Sequence, residues 1–187
     1  MTVPTSTWLI DLLLAMSAAT SLGAAVLLWH QGRSDLAASR SSSIGRIVAS
    51  DTGVAPPQTL HDPANGLRGR PDYLLEQQFG HAVRIVPLEL KPERHSPRLY
   101  ESDAVQLGVY LLAVRATYGV RAAPFGYVRY ARADFRVELT PSLEQRVLQI
   151  ATAIRADRKA RAVHRSHAIR ARCAGCPMRR RCDESLV

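Results

Sequence analysis

Two strand-type runs joined by a tight turn constrain this chain more than any other feature. Residues 70–77 (RPDYLLEQ) and 82–91 (AVRIVPLELK) are rich in branched and apolar residues, and they flank a short turn around Phe79-Gly80-His81. That pattern reads as a β-hairpin. Pro87 has no N–H to give a ladder, so it argues for an edge position or a bulge in the second strand.

The surrounding sequence supplies the rest of a domain. Residues 46–50 (RIVAS) suit a short strand, and residues 51–66, with three Pro and two Gly, read as loop. Residues 101–118 carry acids in their first turn and stop at Gly119, which predicts a helix. Residues 125–130 and 134–139 form a second hairpin across Ala131-Arg132-Ala133. Thr140-Pro141 then opens another helix, with Thr140 as N-cap, running to about residue 162. The order β, β, β, α, β, β, α predicts a mixed α/β (α+β) domain. At 187 residues, 47% of them apolar, the chain has room for one packed domain of ordinary size and is not a disordered polymer.

The N-terminus is of another kind. From Leu12 to Trp29 there are 18 residues without a charge, enough for a helix of roughly 27 Å. Trp8 and Trp29 bracket the run as interfacial anchors do, and Arg33, Arg40 and Arg46 follow it. Residues 1–30 are therefore expected to form a hydrophobic anchor helix. It would cross the cytoplasmic (inner) membrane once and leave the rest of the chain in the cytoplasm. The competing expectation is a buried or interfacial helix. A cleaved signal peptide fits less well, because no Lys or Arg precedes the apolar run. Residues 31–45 read as a linker, and residues 46–187 as the main domain, with a Cys-rich tail over 164–187.

Charge is unevenly spread. Residues 1–154 hold 15 basic and 13 acidic groups, whereas residues 155–182 hold 10 basic groups and one acid, Asp157. The formal excess of +9 thus sits in one C-terminal segment, as expected for a patch that meets a polyanion. Nucleic acid is the first candidate partner and an anionic membrane surface the second. The three cysteines, Cys173, Cys176 and Cys182, are an odd number packed into one short stretch. That excludes a disulfide scaffold and favours a metal site.

Chemistry concentrates at the hairpin. Glu89 and Lys91 are two apart on one strand and so project from one face, while Leu90 points the other way, to the core. The returning strand can set Asp72 beside Glu89. Two carboxylates at one point repel each other and bind a hard divalent cation well. A Lys ammonium nearby can hold an attacking water and offset charge on a phosphate. Lys is rare in this chain, 2 of 25 basic residues, and a compact point charge is what this chemistry needs. Gln106 and Tyr110 lie four apart on one face of the following helix.

Four strings occur in order: Gly69-Arg-Pro-Asp-Tyr-Leu74, Pro87-Leu-Glu-Leu-Lys91, Gln106-Leu-Gly-Val-Tyr110 and Cys173-Ala-Gly-Cys-Pro-Met-Arg-Arg-Arg-Cys182. Together they resemble the RecB-like branch of the PD-(D/E)XK nuclease superfamily, and more closely the CRISPR-associated Cas-four exonuclease family and its stand-alone relatives. The resemblance implies a restriction-endonuclease-like core, a mixed central sheet flanked by helices. It implies a DNA nuclease, an exonuclease on single strands, in which Asp72, Glu89 and the Leu90 backbone carbonyl hold Mg²⁺ or Mn²⁺. Lys91 would position the water, and Gln106 and Tyr110 would orient the site and the DNA. DNA-repair or CRISPR adaptation proteins would be its partners.

The family also carries a [4Fe–4S] cluster on four cysteines, of which only the three C-terminal ones exist here. The centre on Cys173, Cys176 and Cys182 is thus a [4Fe–4S] cluster with a non-Cys fourth ligand, a [3Fe–4S] cluster, a Zn²⁺ site or a relic. His167 is a candidate for the missing ligand. The competing functions are a non-catalytic, membrane-anchored nucleic-acid-binding protein with a structural metal, and a membrane-anchored interaction protein whose Arg tail meets lipid.

Overall fold

The computed structural model describes residues 45–187, together with Met16, Thr20 and Gly23. Apart from those three positions, the expected anchor helix (1–30) lies outside the described residues, as does nearly all of the expected linker (31–45). Among the described residues, no helix is long and apolar enough to cross a membrane. The chain divides into two compact units, Met1–Gln145 and Arg146–Val187.

The first unit is built on a five-stranded sheet of order β1-β4-β5-β6-β7, made of Arg46–Ser50, Tyr73–Phe79, Ala82–Lys91, Phe125–Tyr130 and Asp134–Glu138. Three of its four pairings are antiparallel. The pairing of β5 with β6 is parallel, and parallel neighbours need a crossover. Helix α1 (Glu101–Tyr118) provides it, so the strand bearing Glu89 and Lys91 leads into the helix bearing Gln106 and Tyr110. A small antiparallel pair, β2 (Leu60–Asp62) and β3 (Leu67–Gly69), also packs on α1.

Alternation along the strands decides which side chains meet α1. Ile85 and Leu74 cluster with Ala113 and Val114 of the helix. Val86, Leu88, Tyr73 and Leu75 pack on the other face with Ala123 and Phe125, and the partly buried Leu90 joins them. By the two-residue period, Asp72 shares the helix face with Leu74, and Glu89 and Lys91 share it with Ile85. Because α1 has the sheet on one side and the β2–β3 pair on another, it buries residues around most of its middle, Leu107, Gly108 and Tyr110 through Val114. A helix covered from several sides loses the usual apolar stripe.

Most expected elements are present, with differences that have physical causes. The stretch 51–66 contains a strand, β2, held by pairing with β3 and by the burial of Leu60, not by any local alternation. Strand β4 begins at Tyr73, because Pro71 cannot donate to a ladder. Thr140 caps α2 (Pro141–Asp157) by accepting the Leu143 N–H at 3.2 Å. That helix stops at Asp157, short of the expected 162, where Arg155, Arg158, Lys159 and Arg161 set like charges three and four apart.

Pro87 is the clearest correction, since it lies in β5, an interior strand paired on both sides. The parallel ladder to β6 begins one residue later, at Leu88↔Tyr127, and Gly126 stands beside the ring. A Cβ on Gly126 would meet the Pro87 carbonyl oxygen at 2.8 Å, its Cγ at 3.0 Å and Leu107 Cδ1 at 3.2 Å. Backbone on one side and a packed helix on the other leave nothing free to yield. Gly126→Ala should therefore destabilise the protein by about 1–3 kcal/mol. Each kcal/mol corresponds to about 2–4 °C in Tm for a chain of this size. An unchanged midpoint in thermal or denaturant unfolding would contradict this close packing.

Candidate active site

The last β4–β5 pair is Tyr73↔Leu88, which brings Asp72, one residue before β4, to the end of β5. Asp72 Oδ2 accepts the Leu90 N–H at 2.7 Å. In an extended strand the N–H and C=O of one residue leave on the same edge, so the Leu90 carbonyl also faces the Asp72 side. Asp72 and Glu89 lie near enough for each to act on the other's carboxyl.

Glu89 is only 5% exposed and is held through one oxygen. Its Oε1 accepts Lys91 Nζ at 2.9 Å and Gln106 Nε2 at 2.6 Å. The same Gln106 Nε2 lies 2.8 Å from Tyr110 Oη. Glu89 Oε2 is buried and has no hydrogen-bond partner. A buried carboxylate oxygen without a donor is costly, and such an atom suits a cation or a water as its partner.

Titration follows from the packing. Burial raises the pKa of Asp72, and the charge of Asp51 adds to this; the Leu90 N–H and Lys91 oppose it. Burial likewise raises Glu89, with the Asp72 charge as the next cause, against the hydrogen bond and charge of Lys91. Burial alone would lower the pKa of Lys91. The hydrogen bond to Glu89 and the charges of Glu89, Asp103 and Asp72 together outweigh it, so the net shift is upward. Tyr110 is raised by burial and by the charges of Glu89 and Asp72, while its hydrogen bond from Gln106 opposes this, so the phenol stays neutral.

Three further residues shape the site: Gly69, Asp51 and Asp103. Gly69 lies against Tyr110: a Cβ there would be 2.6 Å from the ring carbons Cδ1 and Cε1. The missing side chain leaves room for the aromatic ring that abuts Gln106. Asp51 donates its N–H to the Asp72 carbonyl at 3.0 Å and pairs with Arg70 Nε at 2.9 Å. Asp103, read only as a first-turn acid, is 3% exposed and accepts the Tyr130 hydroxyl at 2.5 Å. A buried acid in a helix's first turn looks in sequence like any acid favoured there by the helix dipole.

The C-terminal unit has its own feature. Cys173, Cys176, Cys182, His164 and His167 all line one cavity of about 410 Å³, with Arg165, Arg179 and Arg181 also in its wall. The three thiols are free, Cys173 buried and Cys176 exposed. His164 Nδ1 is taken up by Glu184 at 2.7 Å, whereas His167 Nδ1 accepts the Ile169 N–H at 3.2 Å. Among the described residues, no three His, Cys, Asp or Glu side chains converge tightly enough to hold a metal ion as they stand.

A family model for the PD-(D/E)XK nuclease superfamily matches residues 8–183. No curated protein sequence matches the chain. A crystal structure of SSO0001 is similar over 97% of this chain and 79% of that one, at 14% identity and a TM-score of 0.45. The family match spans nearly the whole sequence and includes Asp72, Glu89, Lys91, Gln106 and Tyr110, so the chain belongs to the PD-(D/E)XK nuclease superfamily.

Proposed function

We propose that this protein is a Mg²⁺- or Mn²⁺-dependent deoxyribonuclease of the RecB-like, Cas-four-related kind, acting as an exonuclease on single-stranded DNA. Superfamily membership supports a metal-dependent nuclease. The observation that carries the site assignment is Glu89 Oε2, buried and unpartnered beside a second carboxylate. Asp72, Glu89 and the Leu90 carbonyl would hold the ion. Two carboxylates and a carbonyl fit a hard cation that keeps several waters. Such an ion, when bound, polarises the phosphate and acidifies a water.

The chain's own groups do the rest. Gln106 and Lys91 both grip Glu89 Oε1 and thereby fix the carboxylate with Oε2 free. Lys91 remains an ammonium at neutral pH, since its pKa is raised. It therefore donates hydrogen bonds and is no general base: it orients the attacking water and offsets the charge that grows on the phosphate. Tyr110 holds Gln106 from behind.

The C-terminal tail is proposed to carry a soft-metal centre, iron–sulfur or zinc, on Cys173, Cys176 and Cys182. The three thiols share one cavity, and two thiols two residues apart with a third nearby suit one soft metal centre. His167, which lines the same cavity, is the proposed fourth ligand. The exposed arginines of residues 155–181 would meet the DNA backbone without reading sequence. The apolar run of residues 12–29 would tether the enzyme to the cytoplasmic membrane, with the nuclease inside and a stand-alone repair role favoured over CRISPR adaptation.

Three outcomes test this. With Mn²⁺ the protein should degrade single-stranded DNA, and Lys91→Ala should lower kcat by about 10²-fold or more. Full activity in that variant would remove Lys91 from the mechanism. The second outcome concerns stability. Carboxylates whose pKa is raised on folding favour the fold when protonated, and that contribution is lost as pH rises through the raised values. In EDTA at pH 7, Glu89→Gln should thus melt higher than wild type, and the gap should close as the pH falls to the ordinary carboxylate range. Mn²⁺ should raise the Tm of wild type and leave the variant unmoved. A variant that melts lower in EDTA would count against a strained, cation-awaiting pair. Third, anaerobically purified protein should contain iron with sulfide, or zinc, and the Cys173→Ser/Cys176→Ser/Cys182→Ser variant should lose it. A wild-type protein with neither metal would reject the centre.

A further inference from the structure

The connection between β5 and α1 runs Lys91-Pro-Glu-Arg-His-Ser-Pro-Arg-Leu-Tyr100. Arg94 is fastened within it at both backbone groups. Its N–H donates to the Lys91 carbonyl at 3.0 Å, and its carbonyl accepts the Ala131 N–H from the β6–β7 turn at 2.9 Å. A turn closed this way keeps the α-carbons of positions 91 and 94 within about 7 Å. Arg94 is thus one tight turn away from the ammonium at the site.

Its side chain is held from the inside. Nε is buried and lies 3.4 Å from Asp103 Oδ2, an ion-pair distance without hydrogen-bond geometry. Cζ lies 4.7 Å from the centroid of the Tyr100 ring. Asp103 in turn is buried and fixed by the Tyr130 hydroxyl, and Tyr130 is the register partner of Lys91 in the β5–β6 ladder. Tyr130 Oη also accepts the Tyr100 N–H at 3.0 Å. The guanidinium is therefore pinned by its inner nitrogen and by a ring, both tied to the strand that flanks Lys91.

The outer part is unused. The Arg94 side chain is 39% exposed, and since Nε is buried the exposure belongs to the remainder. Its terminal nitrogens make no hydrogen bond among the described residues. A guanidinium oriented in advance, with two donors to spare, matches a phosphate bidentately. Neutralising Asp103 alone would need no exposed fork.

We propose that Arg94 is a phosphate-binding arm of this site, gripping a backbone phosphate of the substrate strand next to the one that is cut. Asp103 and Tyr100 act as positioning residues that hold the guanidinium ready. The assignment rests on the nuclease reading for its substrate, though binding can be measured without cleavage.

The first measurement is binding of a fluorescent oligothymidylate to the full chain in EDTA across a salt series. Arg94→Ala should weaken binding and flatten the slope of log K against log salt by about 0.7, the loss of one phosphate contact on a single strand. Arg94→Lys, which keeps the charge without the fork, should keep the slope and bind several-fold more weakly. The second measurement is Mn²⁺-dependent cleavage of an oligonucleotide carrying one neutral methylphosphonate beside the scissile phosphate. Wild type should show a raised KM on it, and Arg94→Ala should be indifferent to the change. Wild-type slope and affinity in Arg94→Ala, or equal sensitivity of both proteins to the methylphosphonate, would overturn the proposal. If Arg94→Ala does not fold, Arg94→Gln replaces it in both measurements. If wild type cuts nothing yet the slope falls as expected, the nuclease reading fails and the phosphate arm stands.

Discussion

Glu89 is gripped through one oxygen while the other is left buried and bare, next to a second acid. Nothing in a folded chain favours this arrangement on its own account. Desolvation opposes the charge on both acids, and a like charge adds to it in each case, Asp51 against Asp72 and Asp72 against Glu89, so both pKa values are raised. The surrounding structure must therefore force it, and most of the first unit is the means. The β4–β5 register brings Asp72 level with Glu89, the parallel β5–α1–β6 crossover lays Gln106 over the strand, and Gly69 lets Tyr110 close behind Gln106. Sites that store such conflict are where function is expected to reside.

The part of this legible in sequence was the part written in short periods. Glu89 and Lys91 two apart, Gln106 and Tyr110 four apart, and the hairpin that returns to Asp72 are local patterns, and each has its counterpart in the coordinates. What was illegible depends on partners distant in the chain. Strand β2 exists because β3 and α1 cover it, and Pro87 sits inside the sheet because Gly126, 39 positions on, has no side chain. Nothing in the local sequence of Asp103 or Arg94 sets them apart; the Tyr130 hydroxyl and the turn to Lys91 do. Helix α2 ends at Asp157 for a different reason: helix propensity continues past it, but the run of like charges opposes a longer helix.

The C-terminal unit is organised by chemistry more than by apolar burial. Glu184 reaches back to His164 and to the Arg165 N–H, and these contacts, with the His164 bond first, hold its carboxyl below the usual range. The chain end is thereby folded over the cavity that the three cysteines share. Few residues of this unit are buried, Val147 and Cys173 among them, so apolar packing contributes little there. A bound metal would add cross-links where the core is thin, much as it does in small metal-stapled domains.

Helix α1 has no free side along its central turns, being packed between the sheet and the β2–β3 pair. Burial on several sides places its interior amides among those that exchange by larger openings and not by fraying. Gln106 and Tyr110 are thus carried on a rigid beam and have little scope to drift or to be retuned one at a time. Diversification of what a scaffold like this accepts must fall on its soft parts, above all the ten-residue span from Lys91 to Tyr100, where a substitution can alter grip without disturbing the frame.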